Sequence, residues 1–356
     1  MNSAKKDSKP KIAVTMGDPR GIGAEIVAKA FARAAPHEFC APLVLGDVAV
    51  LSRTIQRMNL GLRVAEVGEE GLRDLQAGVL PVLPVSTLSS GKESGEIPPE
   101  ESSRASFAYV ERAGRMALEG KVEAIVTAPV SKEAIHGTGI AFRGHTEYLA
   151  EISGTRDFAM MLAGEKLKVT LVTTHVPLES VAKLLTEEKI FSVIEIMARG
   201  LQEYFELRPP RMAVAALNPH AGEGGLFGNE ELIISRAVQR ARDRGLSVSG
   251  PFPADSLFHR VQMGEFHAVV CMYHDQGLIP LKLLHFDTAV NVTLGLPFVR
   301  TSVDHGVAYD IAGKGLANSR YMEEAIRLAA RMAGRKKSFG DADERRKNRI
   351  EAPRKK

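Results

Sequence analysis

Residues 11–35 read KIAVTMGDPRGIGAEIVAKAFARAA, in which a short β-branched run leads through a glycine-rich turn into an amphipathic segment. This order predicts a strand over 12–16 and a helix over 24–35. The glycines between them permit a tight turn, and they also leave the first amide groups of the helix free to bind an anion. The turn matches neither the G-x-G-x-x-G dinucleotide pattern nor the phosphate-binding P-loop. A plain tight turn and an anion-binding loop therefore both stay open as interpretations.

The alternation of apolar runs and amphipathic segments continues along the chain, which is typical of an α/β fold with a largely parallel sheet. Strands are predicted at 12–16, 43–45, 79–85, 124–127, 168–173, 212–217, 268–272 and 289–294. Helical periodicity covers 24–35, 102–119, 189–206, 229–244 and 321–333. Eight strands are too many for one small sheet, and 356 residues suit about two domains.

The composition excludes several classes of protein. With 44% hydrophobic and 25% charged residues and no apolar run long enough to span a bilayer, the chain is neither a peptide hormone, a disordered chain nor a membrane transporter. The start, MNSAKKDSKPK, lacks the apolar stretch of a signal peptide. Two cysteines, Cys40 and Cys271, cannot build a disulfide framework or a cysteine-rich zinc site. We expect a soluble, cytoplasmic protein whose metal, if any, is held by histidine and carboxylate.

The net charge of +4 does not indicate a nucleic-acid partner. Residues 335–356 contain ten Lys and Arg against four Asp and Glu, so the remaining chain carries a net charge of −2. Aromatic residues make up 6% of the chain, and tryptophan is absent. We expect 335–356 to be a basic, disordered tail, with weak RNA or membrane-surface attraction as the alternative, and the body to bind neither.

Three histidines follow predicted strands in the same manner: His175, His220 and His274. They are separated by 45 and 54 residues, the spacing of successive βα units. Because α/β folds bind ligands at the carboxyl ends of parallel strands, the three side chains are expected to meet. Three histidines can hold a divalent metal and leave positions open for water or substrate. A single histidine in such a place would suggest a structural hydrogen bond, but three equivalent ones favour a metal site.

A second group of polar residues suggests an anionic substrate. His145 and Thr146 lie where a glycine-containing loop enters a helix, and they cap that helix, hold an anion at its positive end, or do both. Lys282, Asn291 and Arg300 each interrupt an apolar run. A cation in such a run is costly unless it is paired. It is therefore expected to face either the carboxylate or phosphate of a ligand in a cavity, or a buried carboxylate of the protein itself. The candidate partners are Asp255, Asp275 and Asp304.

Long motifs then identify the sequence as similar to the PdxA family, the 4-hydroxythreonine-4-phosphate dehydrogenases of vitamin B6 biosynthesis, from residue 11 to about 333. The motifs are TMGDPRGIGAE (15–25), GHTE (144–147), TTHVPL (173–178), LNPHAGEGGLFGNEE (217–231), GPFPADSLF (250–258), YHDQGLIPLK (273–282) and VNVTLGLPFVRTSVDHG (290–306). Arg20 and Ala24 depart from the family pattern, which usually has Ala and Pro there.

The resemblance implies roles for individual residues. In the family the three strand-end histidines bind a divalent metal, which carries over to His175, His220 and His274. Substrate contacts carry over to His145, Thr146, Lys282, Asn291 and Arg300. Lys282 is also a candidate proton acceptor, although neutralising substrate charge is the role we place first.

A second resemblance concerns the cofactor. Residues 305–318 are similar to the HG-x-A-x-D-I-A-G-x-G-x-A-N loop of isocitrate and isopropylmalate dehydrogenases, which wraps the adenosine half of NAD. This implies an isocitrate/isopropylmalate dehydrogenase-like α/β fold, with two α/β domains and an active-site cleft between them. Residues 11–138 with 303–334 would form the domain of the cofactor loop, and 139–302 the domain of the metal and substrate site and the dimer interface. His305, Gly306, Asp310 and Asn318 are the cofactor-binding candidates.

The implied activity is the NAD(P)- and metal-dependent oxidation of 4-phosphooxy-L-threonine. The product, 2-amino-3-oxo-4-(phosphooxy)butanoate, is a β-keto acid that decarboxylates to 3-amino-2-oxopropyl phosphate in pyridoxine 5′-phosphate biosynthesis. The metal would bind the substrate hydroxyl and lower its pKa while hydride passes to NAD or NADP. Zinc, cobalt or manganese suits three imidazoles better than magnesium.

Other activities remain to be separated from this one. Close relatives oxidise 4-phospho-threonate, 4-phospho-erythronate or an aromatic dihydrodiol with the same histidines. A metal-dependent hydrolase would work without nicotinamide, and a phosphosugar-binding protein would bind without metal. The resemblance also implies a homodimer with shared active sites, in which the partner supplies His274 to the other two histidines.

Overall fold

The computed structural model describes residues 9–69, 76–88 and 97–351, with side chains as far as 336. Twelve strands are present in this part of the chain: β1 Lys11–Thr15, β2 Ala41–Gly46, β3 Arg63–Glu66, β4 Val79–Pro84, β5 Ala124–Thr127, β6 Ala159–Ala163, β7 Lys168–Leu171, β8 Met212–Ala215, β9 Val248–Phe252, β10 Ala268–Cys271, β11 Val290–Leu294 and β12 Val299–Ser302. The helices are α1 Gly23–Ala34, α2 Val48–Arg57, α3 Pro99–Leu118, α4 Lys132–Gly137, α5 His145–Ile152, α6 Val181–Leu184, α7 Glu187–Phe205, α8 Glu230–Asp243, α9 Ala254–Gln262, α10 His274–His285 and α11 Arg320–Glu351.

The strands form one sheet in the order β3-β4-β2-β1-β5-β12-β11-β6-β7-β10-β8-β9. Pairing is parallel except in the middle, where β11 lies antiparallel to β12 and β6, and β6 antiparallel to β7. The first six strands in this order therefore run opposite to β7, β10, β8 and β9. The central antiparallel strands join two parallel halves, each with its own set of carboxyl ends.

Each predicted strand and each predicted helix is present. Their ends differ from the predicted ends by at most a few residues, except in α11, which continues beyond 333. The strands β3, β6, β9 and β12 were not predicted. Strand β12 contains a buried arginine, β9 contains Gly-Pro, and β6 has the sequence AMMLA without a β-branched residue. Sheet formation depends strongly on packing context, so these segments lack a local signal.

Buried hydrophobic residues form two core clusters, a large one along most of the sheet and a smaller one where β7, β8 and β10 pack against α9 and α10. Helix α11 contributes Met322, Ala325, Ile326, Ala329 and Met332 and contacts β12, β5, β1 and α7. It thereby spans the junction of the two halves. The helix continues through Glu351, residues 352–356 lie outside the described part, and the disorder expected for 335–356 stays a prediction.

No helix of the described chain is both long enough and apolar enough to cross a membrane.

Candidate active site

A cavity of about 890 Å³ lies where the two halves of the sheet meet. Residues 127–130, after β5, line it on the side of the first half, and 171–176, after β7, line it on the side of the second. The start of α5 and residues of β11 and β12 complete the wall. The ends of β5 and β7, two strands that run in opposite directions, therefore reach the same cavity. This is the arrangement expected for a cleft between two α/β units. Of the predicted substrate residues, all but Lys282 line it.

Arg300 is the buried cation of this cavity. It is 3% exposed, and its NH1 donates to Oγ1 of Thr293 at 3.0 Å and of Thr146 at 3.4 Å. Its NH2 donates to Oγ1 of Thr127 at 2.7 Å. These partners are neutral, and no carboxylate in the described chain pairs with Arg300. Burial lowers the pKa of Arg300 to about 10, against a smaller opposing effect of Glu147, so the group is charged at neutral pH.

Three buried polar atoms around the cavity have no hydrogen-bond partner among the described residues. They are Nε of Arg300, Nε2 of His145 and Oδ1 of Asn291. Buried polar atoms are almost always paired in native proteins. Together with the lone charge, these atoms fit a polar, anionic ligand that would satisfy them.

His145 is the first residue of α5, and no side chain caps this helix end. The capping interpretation of His145 and Thr146 is therefore wrong in this structure. Burial lowers the pKa of His145 well below its ordinary value, and the charges of Arg300 and Lys132 lower it further. The imidazole is thus neutral, and the positive end of α5 is open towards an anion.

Lys282 is bound differently from Arg300. Its Nζ lies 2.9 Å from Oδ2 of Asp304, while its side chain is 40% exposed and lies outside the cavity lining. Of the two alternatives for Lys282, the structure shows the ion pair. Its partner, Asp304, is one of the three candidate aspartates. Asp304 itself lines the cavity, so the pair stands at its edge.

The structure brings together two of the three predicted metal ligands. His175 follows β7 and lines the cavity, and its ring centroid is 5.6 Å from that of His274, the first residue of α10. Burial lowers the pKa of His175, with smaller effects of Lys132 and His274. His274 Nδ1 lies 2.7 Å from Oδ1 of Asp275. A neutral imidazole is the form that binds metal.

His220 lies apart from this pair. Its side chain is 69% exposed, and its Nδ1 is 3.4 Å from Glu223. Within the described residues of one chain, no cluster of three potential metal ligands forms. The resemblance implied that the partner supplies His274 to His175 and His220. In this structure, His274 of the same chain lies beside His175.

A left-handed turn carries His220. Residues 220–224 all have positive φ, between 41° and 74°, although three of them are not glycine. Glu231 of α8 holds this turn, because its carboxylate accepts from the backbone amides of Leu217 and Asn218 at 3.1 and 2.7 Å. Strained backbone of this kind often accompanies functional sites.

The predicted cofactor loop, 305–318, runs from the cavity towards α1. His305 and Gly306 line the cavity, whereas Asp310 is exposed outside it. Asn318 accepts from the backbone amide of Arg320 at the start of α11, which is a structural role. The structure therefore places two of the four cofactor candidates at the cavity.

Sequence reasoning missed Lys132, Thr127 and Thr293. Lys132 lines the cavity at the start of α4, and the two threonines hold Arg300. Lys132 follows a strand end in the sequence TAPVSK, the same signal that revealed the histidines. The threonines carry no comparable signal, because threonine is common in strands.

Comparison with known proteins agrees with this architecture. A protein-family model described as "Pyridoxal phosphate biosynthetic protein PdxA" matches residues 38–329. The chain belongs to the PdxA family. This membership confirms the predicted fold class and the predicted enzyme class, an oxidoreductase.

The relatives within the PdxA family differ in their substrates. A 4-hydroxythreonine-4-phosphate dehydrogenase of Geobacter metallireducens is 49% identical over 94% of this chain and 98% of its own length. A D-threonate 4-phosphate dehydrogenase of Cupriavidus necator is 42% identical over 93% of this chain and 99% of its own. The solved 4-hydroxythreonine-4-phosphate dehydrogenase of Klebsiella pneumoniae has a TM-score of 0.82 and 42% identity, covering 91% of this chain and 99% of that one.

Proposed function

We propose that this PdxA-family protein oxidises 4-phosphooxy-L-threonine to 2-amino-3-oxo-4-(phosphooxy)butanoate, which then decarboxylates to 3-amino-2-oxopropyl phosphate. The observation that carries the proposal is Arg300, a buried charge that is surrounded by neutral hydroxyls and has an unpartnered Nε. A buried cation without a counterion is expensive, and a phosphate or carboxylate of the substrate would offset that cost.

The residues around Arg300 suit a substrate with two anionic groups. Arg300 would bind one of them through its guanidinium. The open amino end of α5, with His145, Thr146 and the nearby Lys132, would bind the other. Asn291 Oδ1 is an acceptor that needs a donor, and the substrate's amine or hydroxyl would supply one. Lys282 would neutralise substrate charge from the cavity edge, or accept a proton there.

A divalent metal, namely zinc, cobalt, manganese or magnesium, fits the same site. His175 and His274 offer imidazoles whose 5.6 Å ring separation suits a shared ion, and His220 would be the third ligand. When bound, the metal would lower the pKa of the substrate hydroxyl as a Lewis acid, and NAD or NADP would accept the hydride. His305, Gly306, Asp310 and Asn318 would contact the cofactor from the 305–318 loop.

We further propose a homodimer with shared active sites. Each of the three histidines is followed by exposed apolar side chains: Val176 and Leu178 after His175, Leu226 and Phe227 after His220, and Ile279, Leu283 and Phe286 after His274. Exposed apolar groups beside a catalytic site are typical of a protein interface. A second copy packed there would bring its own histidines towards this cavity.

We also propose a cytoplasmic location, and the negative net charge outside 335–356 disfavours binding to nucleic acid or to an anionic membrane surface.

The test is the formation of reduced nicotinamide, recorded by absorbance, with a panel of substrates. The full chain is incubated with a divalent metal, NAD or NADP, and either 4-phosphooxy-L-threonine or D-threonate 4-phosphate. The second compound represents the alternative favoured by the 42% identical relative. We expect higher kcat/KM for the amino acid. Higher kcat/KM for the threonate would assign the alternative, and loss of substrate in a parallel incubation without nicotinamide, followed by chromatography, would indicate a hydrolase.

A further inference from the structure

The turn after β1 contains a buried carboxylate, that of Asp18, which is 2% exposed. Its Oδ1 accepts from the hydroxyl of Ser102 at 2.6 Å and from the backbone amide of Arg20 at 2.9 Å. Its Oδ2 accepts from the hydroxyl of Tyr309 at 2.6 Å. One side chain therefore joins three segments: its own turn, the first turn of α3 and the 305–318 loop.

The middle of the 305–318 loop depends on Tyr309 for its attachment to the rest of the molecule. Hydrogen bonds from α1 and the residue before it fix the loop on both sides, at residues 307 and 315–317. Between them, at 308–314, the hydrogen bonds to other segments of the described chain are those of Tyr309 and a long one, of 3.5 Å, from Arg57. The bond from Tyr309 to Asp18 is thus the short one that holds this part of the loop.

The hydroxyl of Tyr309 is a permanent donor to Asp18 under ordinary conditions. Burial and the Asp18 carboxylate raise the pKa of Tyr309 to about 12, against smaller effects of Ser131 and Arg20. The ring is also held, because the Arg20 guanidinium lies 5.8 Å from its centroid. A hydrogen bond to a buried carboxylate is among the stronger ones in proteins, and leaving that carboxylate short of a donor is costly.

The same turn contacts the wall of the candidate active site. The backbone amide of Asp18 donates to the carbonyl oxygen of Pro129 at 2.9 Å, and Pro129 lines the active-site cavity. His305 and Gly306, at the start of the loop, line that cavity as well. The bond between Tyr309 and Asp18 therefore fixes the loop relative to the wall of the cavity.

We infer that Tyr309 is a positioning residue, which holds the 305–318 loop in one conformation through its hydrogen bond to Asp18. Without the hydroxyl, residues 308–314 would sample other conformations, and ordering them again would cost free energy whenever a ligand binds to the loop. The inference rests on the proposed function, in which this loop contacts the nicotinamide cofactor. It extends that function by naming the contact that orders the loop.

The test compares Tyr309→Phe, which removes the hydroxyl and keeps the ring, with Ser102→Ala, which removes the other hydroxyl bound to Asp18. Trypsin cleavage of the folded, full-length protein after Lys314, an exposed residue of the loop, is followed by mass spectrometry. We expect Tyr309→Phe to speed this cleavage at least about tenfold, the loss of one hydrogen bond to a charged group. The KM for NAD or NADP should rise about three- to tenfold, while the substrate KM stays within about twofold of the wild-type value. Ser102→Ala should change neither the cleavage rate nor the two KM values, although its thermal midpoint should fall.

Three results would overturn the inference. An unchanged rate of cleavage after Lys314 in Tyr309→Phe would mean that other contacts hold the loop. Equal acceleration in Ser102→Ala would mean general destabilisation, and faster cleavage with an unchanged cofactor KM would mean that the order of the loop does not affect the reaction. Failure of the proposed function is distinguishable, because it appears as absent substrate oxidation by the wild-type protein while the difference in cleavage between the variants persists.

Discussion

At the residue scale, Arg300 contributes to the site through its planar guanidinium as well as its charge. Its NH1 and NH2 are both oriented by threonine hydroxyls, and only Nε is left without a partner. We predict that Arg300→Lys and Arg300→Ala raise KM for the phosphorylated substrate by about 10- to 150-fold, the loss of one charge-assisted contact, because lysine cannot reproduce the fork.

Steady-state kinetics with the substrate and the cofactor varied in turn will check this prediction. The cofactor KM should stay near the wild-type value, and Arg63→Ala, at an exposed position of β3, should change neither constant. Equal changes in both KM values would contradict a specific substrate contact and would indicate that Arg300 stabilises the fold.

Lys282 and Asp304 offer a second test at this scale, since their 2.9 Å ion pair leaves the lysine partly exposed. If Lys282 acts on the substrate, Lys282→Met should raise the substrate KM about tenfold or more, whereas Asp304→Asn should change it much less. The two KM values and the thermal midpoints of both variants are the measurements. Matching changes in the two variants would show that the pair is only structural.

Lys282 and Arg300 show which features of a single residue can be predicted from the sequence. A cation inside an apolar run is visible in the sequence, and both Lys282 and Arg300 were found in this way. Whether the partner is an internal aspartate or a ligand depends on which strand or helix lies opposite. The sequence left both possibilities open; the structure pairs Lys282 with Asp304 and leaves Arg300 without a carboxylate partner among the described residues.

At the element scale, Glu231 acts as a positioning residue for the left-handed turn that carries His220. We predict that Glu231→Ala, which leaves the amides of Leu217 and Asn218 without their acceptor, weakens metal binding by about 10- to 100-fold, as loss of an outer-shell contact does. Metal affinity is measured by competition with a chelator. Asp243→Ala, at the exposed end of the same helix, is the control, and an unchanged affinity in Glu231→Ala would contradict the positioning role.

Elements with a strong local pattern were predictable, and those made by tertiary contacts were not. The strand ends that carry His175, His220 and His274 follow apolar runs with clear boundaries. Strand β12, which carries Arg300, has the sequence VRTS and is recognisable only once it is paired between β5 and β11. The left-handed turn at 220–224 has glycine at 222 and 224 but His, Ala and Glu at the other three positions, so residue preference indicated it only in part.

At the scale of the whole molecule, the reversal of strand direction in the middle of the sheet decides which loops share the cavity. Local sequence patterns do not contain this reversal, and the fold expectation came from the resemblance to known dehydrogenases. Within one chain, the resulting arrangement places His175 beside His274 and leaves His220 exposed. If the three histidines share one metal, as proposed, a second copy would complete the site, and the two possible arrangements differ in which histidine the partner supplies.

Subunit mixing distinguishes these arrangements. In a closed dimer with two composite sites, His220→Ala and His274→Ala subunits are each inactive, but a mixed dimer has one intact site if those two ligands come from different chains. Random pairing puts about half of the dimers in mixed form, so we predict recovery of about a quarter of wild-type activity for this pair. Mixing His175→Ala with His274→Ala should also recover if the partner supplies His274, whereas mixing His175→Ala with His220→Ala recovers if it supplies His220. Absence of recovery in verified mixed dimers of all three pairs would show that one chain provides every ligand, and the shared site would be wrong.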